Sequence, residues 1–107
     1  MLTRLQAQLL LAECRGDEIW SAELCQQKGI PPTWIEELSD TYESGFRSDR
    51  ETIYDENGLT NQYRGVRDLH LAYKLAEFLG VDTSQATAFA LGREAEVRLL
   101  KEAVEEL

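Results

Sequence analysis

The chain has 107 residues, a hydrophobic fraction of 43%, a charged fraction of 29% and a formal net charge of −9, a composition with room for one domain and one core and well away from disorder. Binding to nucleic acid or to an anionic membrane surface needs lysine and arginine on a shared face, and here the basic residues are scattered among acids, so neither is expected as a partner. Apolar runs such as Leu9 to Ala12 are far too short to cross a bilayer.

The first helix is expected over Thr3 to Cys14. Thr3 and Gln6 fit a capping box, and Leu2, Leu5, Leu9 and Ala12 recur at spacings of three and four. This stretch lacks a basic start, a long apolar core and a small-residue cleavage site, so it reads as helix and not as signal peptide. A cytoplasmic protein is the expectation. Arg15-Gly16 breaks the pattern. Asp17 then caps a second helix over Glu18 to Lys28, with Ile19, Trp20, Leu24 and Cys25 inward and Gly29 as a left-handed end. The two cysteines, Cys14 and Cys25, have no C-x-x-C spacing. Helices this close in sequence allow them to approach, but small packed free thiols suit a cytoplasmic chain better.

Ile30-Pro31-Pro32 forms a rigid connector to a third helix over Thr33 to Glu43. Thr33 with Glu36 makes a second capping box, and acids in the first turn favour the positive end of the helix dipole. Ile35, Leu38 and Tyr42 share one side, while Glu36, Asp40 and Glu43 form a separate stripe. Carboxylates at i and i+4 repel by roughly 0.2–0.5 kcal/mol per pair, so the stripe is tolerated in water and favoured beside a cation.

Ser44-Gly45 ends that helix. Glu51 to Tyr54 and Leu59 to Tyr63 flank Asp55-Glu56-Asn57-Gly58, a hairpin signal with weak alternation. A fourth helix follows over Val66 to Leu79, apolar nearly all round and so central to the core, with Gly80 at its C-terminus. Asp82 with Gln85 opens a last helix to Leu107, interrupted near Gly92, with Val97, Leu100, Val104 and Leu107 inward and Glu94 to Arg98 as a surface pair. Trp20, Trp34, Tyr42, Tyr73 and Phe78 fall at apolar helical positions and read as packing residues. The expected fold is mainly α. It is one acidic domain over residues 1–107, a small bundle of four to five helices with a short hairpin or structured loop between the third and fourth.

Function is concentrated in one window. Between Glu36 and Glu56 stand eight carboxylates and two arginines, so 21 residues carry −6 of the net −9. Hard divalent cations are the common counter-charge for crowded carboxylates. Counting Asp40 as the first position, DTYESGFRSDRE places Ser44, Gly45 and Glu51 where an EF-hand loop wants oxygen, glycine and glutamate. Tyr42 and Arg47 depart from that pattern, and an extended stretch follows where a helix belongs. The loop is therefore not a regular EF-hand, although Asp40, Ser44, Ser48 and Glu51 can still offer oxygens. Ligands for calcium are expected from Glu36, Asp40, Glu43, Asp49, Glu51, Asp55 and Glu56. The competing structural reading is a solvated acidic face with Arg47, Arg50, Arg64 and Arg67 as surface partners. The competing functional reading is an acidic module that docks on a basic protein without calcium.

His70 sits in a dense apolar pattern and reads as a packed or rim histidine. One histidine and two helix-borne cysteines do not make a zinc site without carboxylates. No G-x-S-x-G, P-loop, dinucleotide-binding glycine pattern or H-E-x-x-H is present, and a non-enzymatic protein is expected. With its acidity, its small size and its YESGFRSDRETIYDENG core, the chain resembles the CcbP family of small cyanobacterial calcium-binding proteins. That resemblance implies a cytoplasmic calcium buffer or sensor that works through surface carboxylates and lacks an EF-hand.

Overall fold

A computed structural model of the protein describes residues 1–38, 53–55, 58–60 and 65–107. Over these the fold is mainly α, with six helices and two short antiparallel ribbons. Helix α1, Arg4–Glu13, starts as its sequence dictates: Gln6 N–H donates to Thr3 Oγ1 at 3.1 Å, and Thr3 N–H donates back to Gln6 Oε1 at 2.9 Å. Of the expected inward stripe only Leu2 is buried. Ala7, Leu10, Leu11 and Cys14 are buried, while Leu5 and Leu9 are 64% and 58% exposed and Ala12 also faces solvent. The helix is apolar on two sides at helical spacing, so periodicity alone does not choose between them.

The expected second helix divides. Ile19–Ser21 is a strand, β1, and only Ala22–Gln27, α2, is helical, capped by Ser21 Oγ accepting from Leu24 N–H at 3.0 Å. The cause is a long-range contact. Glu18 C=O accepts from Asp68 N–H at 3.0 Å, which takes the carbonyl that a helix starting at residue 18 would use, and Trp20 pairs across to Val66. Lys28 closes this corner with an ion pair to Glu13 at 2.6 Å and lies 5.4 Å from the centre of the Trp20 ring. Gly29 does end the segment with φ +89°.

Helix α3 is described over Pro32–Leu38. Proline at the first helical position leaves no N–H unsatisfied, and Pro31 C=O accepts from Trp34 and Ile35 N–H at 3.0 and 3.2 Å. Thr33 therefore stands inside the first turn and does not cap it. Ile35 is buried and Leu38 packs on the core; the expected continuation to Glu43 lies outside the described residues. Ile53–Asp55 (β2) and Gly58–Thr60 (β3) form the hairpin expected from the sequence, with Asp55 opposite Gly58. Gly65–Arg67 (β4) pairs antiparallel with β1, a ribbon the sequence pattern did not indicate.

Asp68–Leu79, α4, is the central helix. Leu71, Ala72, Leu75 and Ala76 are wholly buried and Leu79 nearly so, whereas Phe78 is 41% exposed. Gly80 ends it at φ +95°. Ser84–Phe89 (α5) and Arg93–Glu105 (α6) replace one long helix, broken at Gly92 as expected. Asp82 helps start α5 by accepting from Ser84 N–H at 3.0 Å, a bond that holds its carboxyl below the usual value. Val97 and Leu100 point inward and Val104 is half-buried, but Leu107, beyond the end of α6, is 65% exposed. Tyr73 of α4 ties both final helices together: its Oη donates to Glu96 Oε2 at 2.6 Å and accepts from Thr87 Oγ1 at 3.3 Å. Arg4 reaches the Leu79 carbonyl at 3.3 Å and Lys101 the Ala12 carbonyl at 3.2 Å, so α1 runs antiparallel to both α4 and α6.

The turn after α1 is wedged between helix starts. Gly16 is buried at φ +103°, and a Cβ there would lie 2.6 Å from Arg93 O and 3.1 Å from Val97 Cγ2. Gly80 shares the left-handed backbone but has open space around it. Left-handed strain alone costs about 1–2 kcal/mol. In urea unfolding, Gly80→Ala is expected to lose about that much, and Gly16→Ala clearly more, about 2–4 kcal/mol, because α6 must also shift. Equal losses at the two positions would show that the wedge is not tight.

Candidate functional site

Of the seven residues expected to bind a cation, the structure describes two. Glu36 lies on the solvent side of α3, and among the described residues its carboxylate has no hydrogen-bond or ion-pair partner. Its neighbour Glu37 is taken by Lys74 Nζ at 2.7 Å. Lys74 also lies 5.7 Å from the Trp34 ring centre, and Trp34 meets Phe78 edge-on at 5.8 Å and 69°. These contacts fix α3 on α4, so Glu36 projects from an anchored helix. Asp55 is placed by its backbone at the end of β2, opposite Gly58. Asp40, Glu43, Asp49, Glu51 and Glu56 lie outside the described residues, as do Ser44, Ser48 and Asn57. Among the described residues, no group of three His, Cys, Asp or Glu side chains is placed to hold a metal ion. His70 is a half-buried residue on α4.

Two features of chemical interest were not read from the sequence. The first is Asp68, a wholly buried carboxylate. Its Oδ2 accepts from Arg15 and Gly16 N–H at 2.8 and 2.9 Å, and its Oδ1 accepts from Glu18 N–H at 3.0 Å. Three backbone donors and the N-terminal end of α4 supply the counter-charge that a buried anion needs. This carboxylate is saturated by the fold and serves structure. An acid at the first position of an apolar helix, three residues after a glycine, is too common a pattern to signal it.

The second is a pair of clefts along the seam of α1 and α6. One, of about 320 Å³, is lined by Cys14, Arg15, Glu94, Val97, Arg98 and Lys101. The other, of about 540 Å³, shares Lys101 and adds Arg4, Leu11, Ala12, Val104 and Leu107 among its walls. The Glu94–Arg98 pair expected from spacing is not closed.

The cysteines are free and buried, as expected of packing residues. Cys14 Sγ donates to Leu10 C=O at 3.5 Å. Burial raises its thiol pKa far above the ordinary value, and the charge of Asp68 adds to the effect. Burial likewise pushes Cys25 from 9.0 up to about 11. Only the thiolate is nucleophilic, so at pH 8 alkylation of folded Cys25 should run about a hundredfold slower than in denaturant, with Cys14 slower still. Because the folded state holds these protons more tightly than the unfolded one, stability should fall as pH rises from about 9 through 11. Fast labelling of either thiol at pH 8, or alkaline stability that stays flat, would contradict this assignment.

Comparison of the chain with family models, with curated proteins and with solved structures finds no match.

Proposed function

We propose that the protein binds calcium through the acidic segment from Glu36 to Glu56 and acts without enzymatic chemistry, as a cytoplasmic buffer or sensor. The observation that carries this reading is the concentration of −6 of the net −9 in those 21 residues. Calcium accepts six to eight oxygens in loose geometry, which suits carboxylates spread over a 21-residue segment of the sequence. Two structural facts support it. Glu36 is exposed on an anchored helix and has no partner among the described residues, while Glu37 beside it is neutralised by Lys74. Asp55, one of the expected ligands, is held at the end of β2 by its pairing with Gly58. The same reading is what the resemblance to the CcbP family implies. For a sensor, half-saturation falls at roughly micromolar calcium.

The test is a calcium titration at physiological salt, followed by amide chemical shifts and by the fluorescence of Trp34, two residues before Glu36. Saturable changes confined to residues 36–56 are expected, with magnesium much weaker. Asp40→Asn and Asp55→Asn should each weaken binding by about tenfold, the loss of one ionic ligand. Absence of any change at millimolar calcium would end the proposal. Salt-sensitive capture of a basic protein that ignores calcium would replace it with the docking reading.

A further inference from the structure

A chain with 20 acids and 11 lysines and arginines should pair its cations readily, yet the α1/α6 seam leaves several of them facing one cleft. Arg15, Arg98 and Lys101 line the smaller cleft against the single acid Glu94. Neither the Arg15 nor the Arg98 guanidinium has a hydrogen-bond or ion-pair partner among the described residues. Lys101 spends one of its three donors on the Ala12 carbonyl, which fixes its ammonium at the junction of the two clefts. Like charges held together with free donors are a ready site for an oxyanion, and guanidinium forks suit carboxylate or phosphate in particular.

Beyond Lys101 the character changes. The larger cleft runs between α1 and α6 past Leu11, Ala12, Val104 and Leu107, with Arg4 at its far end and Glu105 as its one acid. Leu107 is 65% exposed at the end of this wall. From Lys101 to Glu105, where α6 ends, the helix rises about 6 Å, and Leu107 carries the wall past that end, so the cleft offers a length suited to a short aliphatic chain. Both clefts fall within the size range of small-molecule sites. Their shared residue is the lysine, so an anionic head and an apolar tail can be held at once.

We propose that the α1/α6 seam binds an anionic amphiphile, with a carboxylate or phosphate head against Arg15, Arg98 and Lys101 and an aliphatic tail along Ala12, Val104 and Leu107. Arg4 and Lys101 line the tail cleft as well and are partly satisfied by the Leu79 and Ala12 carbonyls, so they do not demand a second anion. This site is independent of the acidic segment and of calcium.

The probes are octyl phosphate and octanoate, with octanol and inorganic phosphate as controls, read by amide shifts in the full chain. Octyl phosphate is expected to shift amides at Arg15, Val97, Arg98, Lys101 and Val104, and to bind at least about tenfold tighter than inorganic phosphate or octanol. The double substitution Arg15→Gln, Arg98→Gln should reduce that affinity by at least about tenfold, with the melting temperature unchanged because both side chains are exposed. Val104→Asp should abolish the advantage of the octyl chain while leaving phosphate binding intact. Co-sedimentation with phosphatidylglycerol vesicles assigns the head group to a lipid surface; octyl phosphate binding without co-sedimentation assigns it to a free amphiphile. Equal binding of inorganic phosphate and octyl phosphate, equal binding of octanol, or no binding at all would each overturn the proposal.

Discussion

The fold hangs on one carboxylate. Asp68 is wholly buried, begins the central helix α4, and gathers the amides of Arg15, Gly16 and Glu18 around its two oxygens while its own N–H returns to Glu18 C=O. An isolated buried anion is costly, so it persists only where donors converge on it, and here the backbone supplies them. The consequences spread outward. The chain must leave α1 in a tight turn at Gly16, that turn packs on the start of α6, and Glu18 is held so that Ile19–Ser21 runs alongside Gly65–Arg67. A single side chain thereby joins the end of α1, the ribbon, the start of α4 and the start of α6.

Seen this way, the acids of the protein divide by what satisfies them. Asp68 is saturated by three backbone donors. Glu96 is held by the Tyr73 hydroxyl, and Glu13 and Glu37 by lysines that also lie near tryptophan rings. Surface pairs of that kind contribute little to stability, but they position helices. Glu36 has no such partner among the described residues, and it opens the segment where charge is most concentrated. Arg15 and Arg98, without side-chain partners among the described residues, face the α1/α6 seam. The two proposed sites each start from charged side chains that have no partner among the described residues.

Local chemistry was legible in the chain. The Thr3–Gln6 capping box, the breaks at Gly29, Gly80 and Gly92, the apolar wrap of α4 and the Asp55–Gly58 pairing each depend on a few adjacent residues, and each is found. Non-local chemistry was not. Ile19 and Trp20 satisfy a helical pattern as well as a strand pattern, and only the partner strand and Asp68, some fifty residues away, decide between them. In α1 two apolar faces compete at the same period, and the packing of α4 and α6 selects Leu10 and Leu11 over Leu5 and Leu9. At the third helix, a proline at the first helical position pre-empts the cap that Thr33 offered. The acidic window was legible as charge because charge is additive along a sequence. The cationic seam was not, since Arg15 and Arg98 come together only when α1 and α6 pack.

Amide hydrogen exchange on Asp68→Asn tests the central claim most directly, because the substitution keeps size and shape and removes the charge. The amide nitrogen of asparagine presents a donor where the carboxylate presents an acceptor, so at least one backbone N–H loses its partner, at about 1–3 kcal/mol for each buried donor left unmade. The account predicts lost protection at Arg15, Gly16 and Glu18, spreading to both strands of the β1–β4 ribbon, with the amides of the second half of α4 protected longest. Protection at those three amides and in the ribbon equal to that of the unsubstituted protein would contradict it.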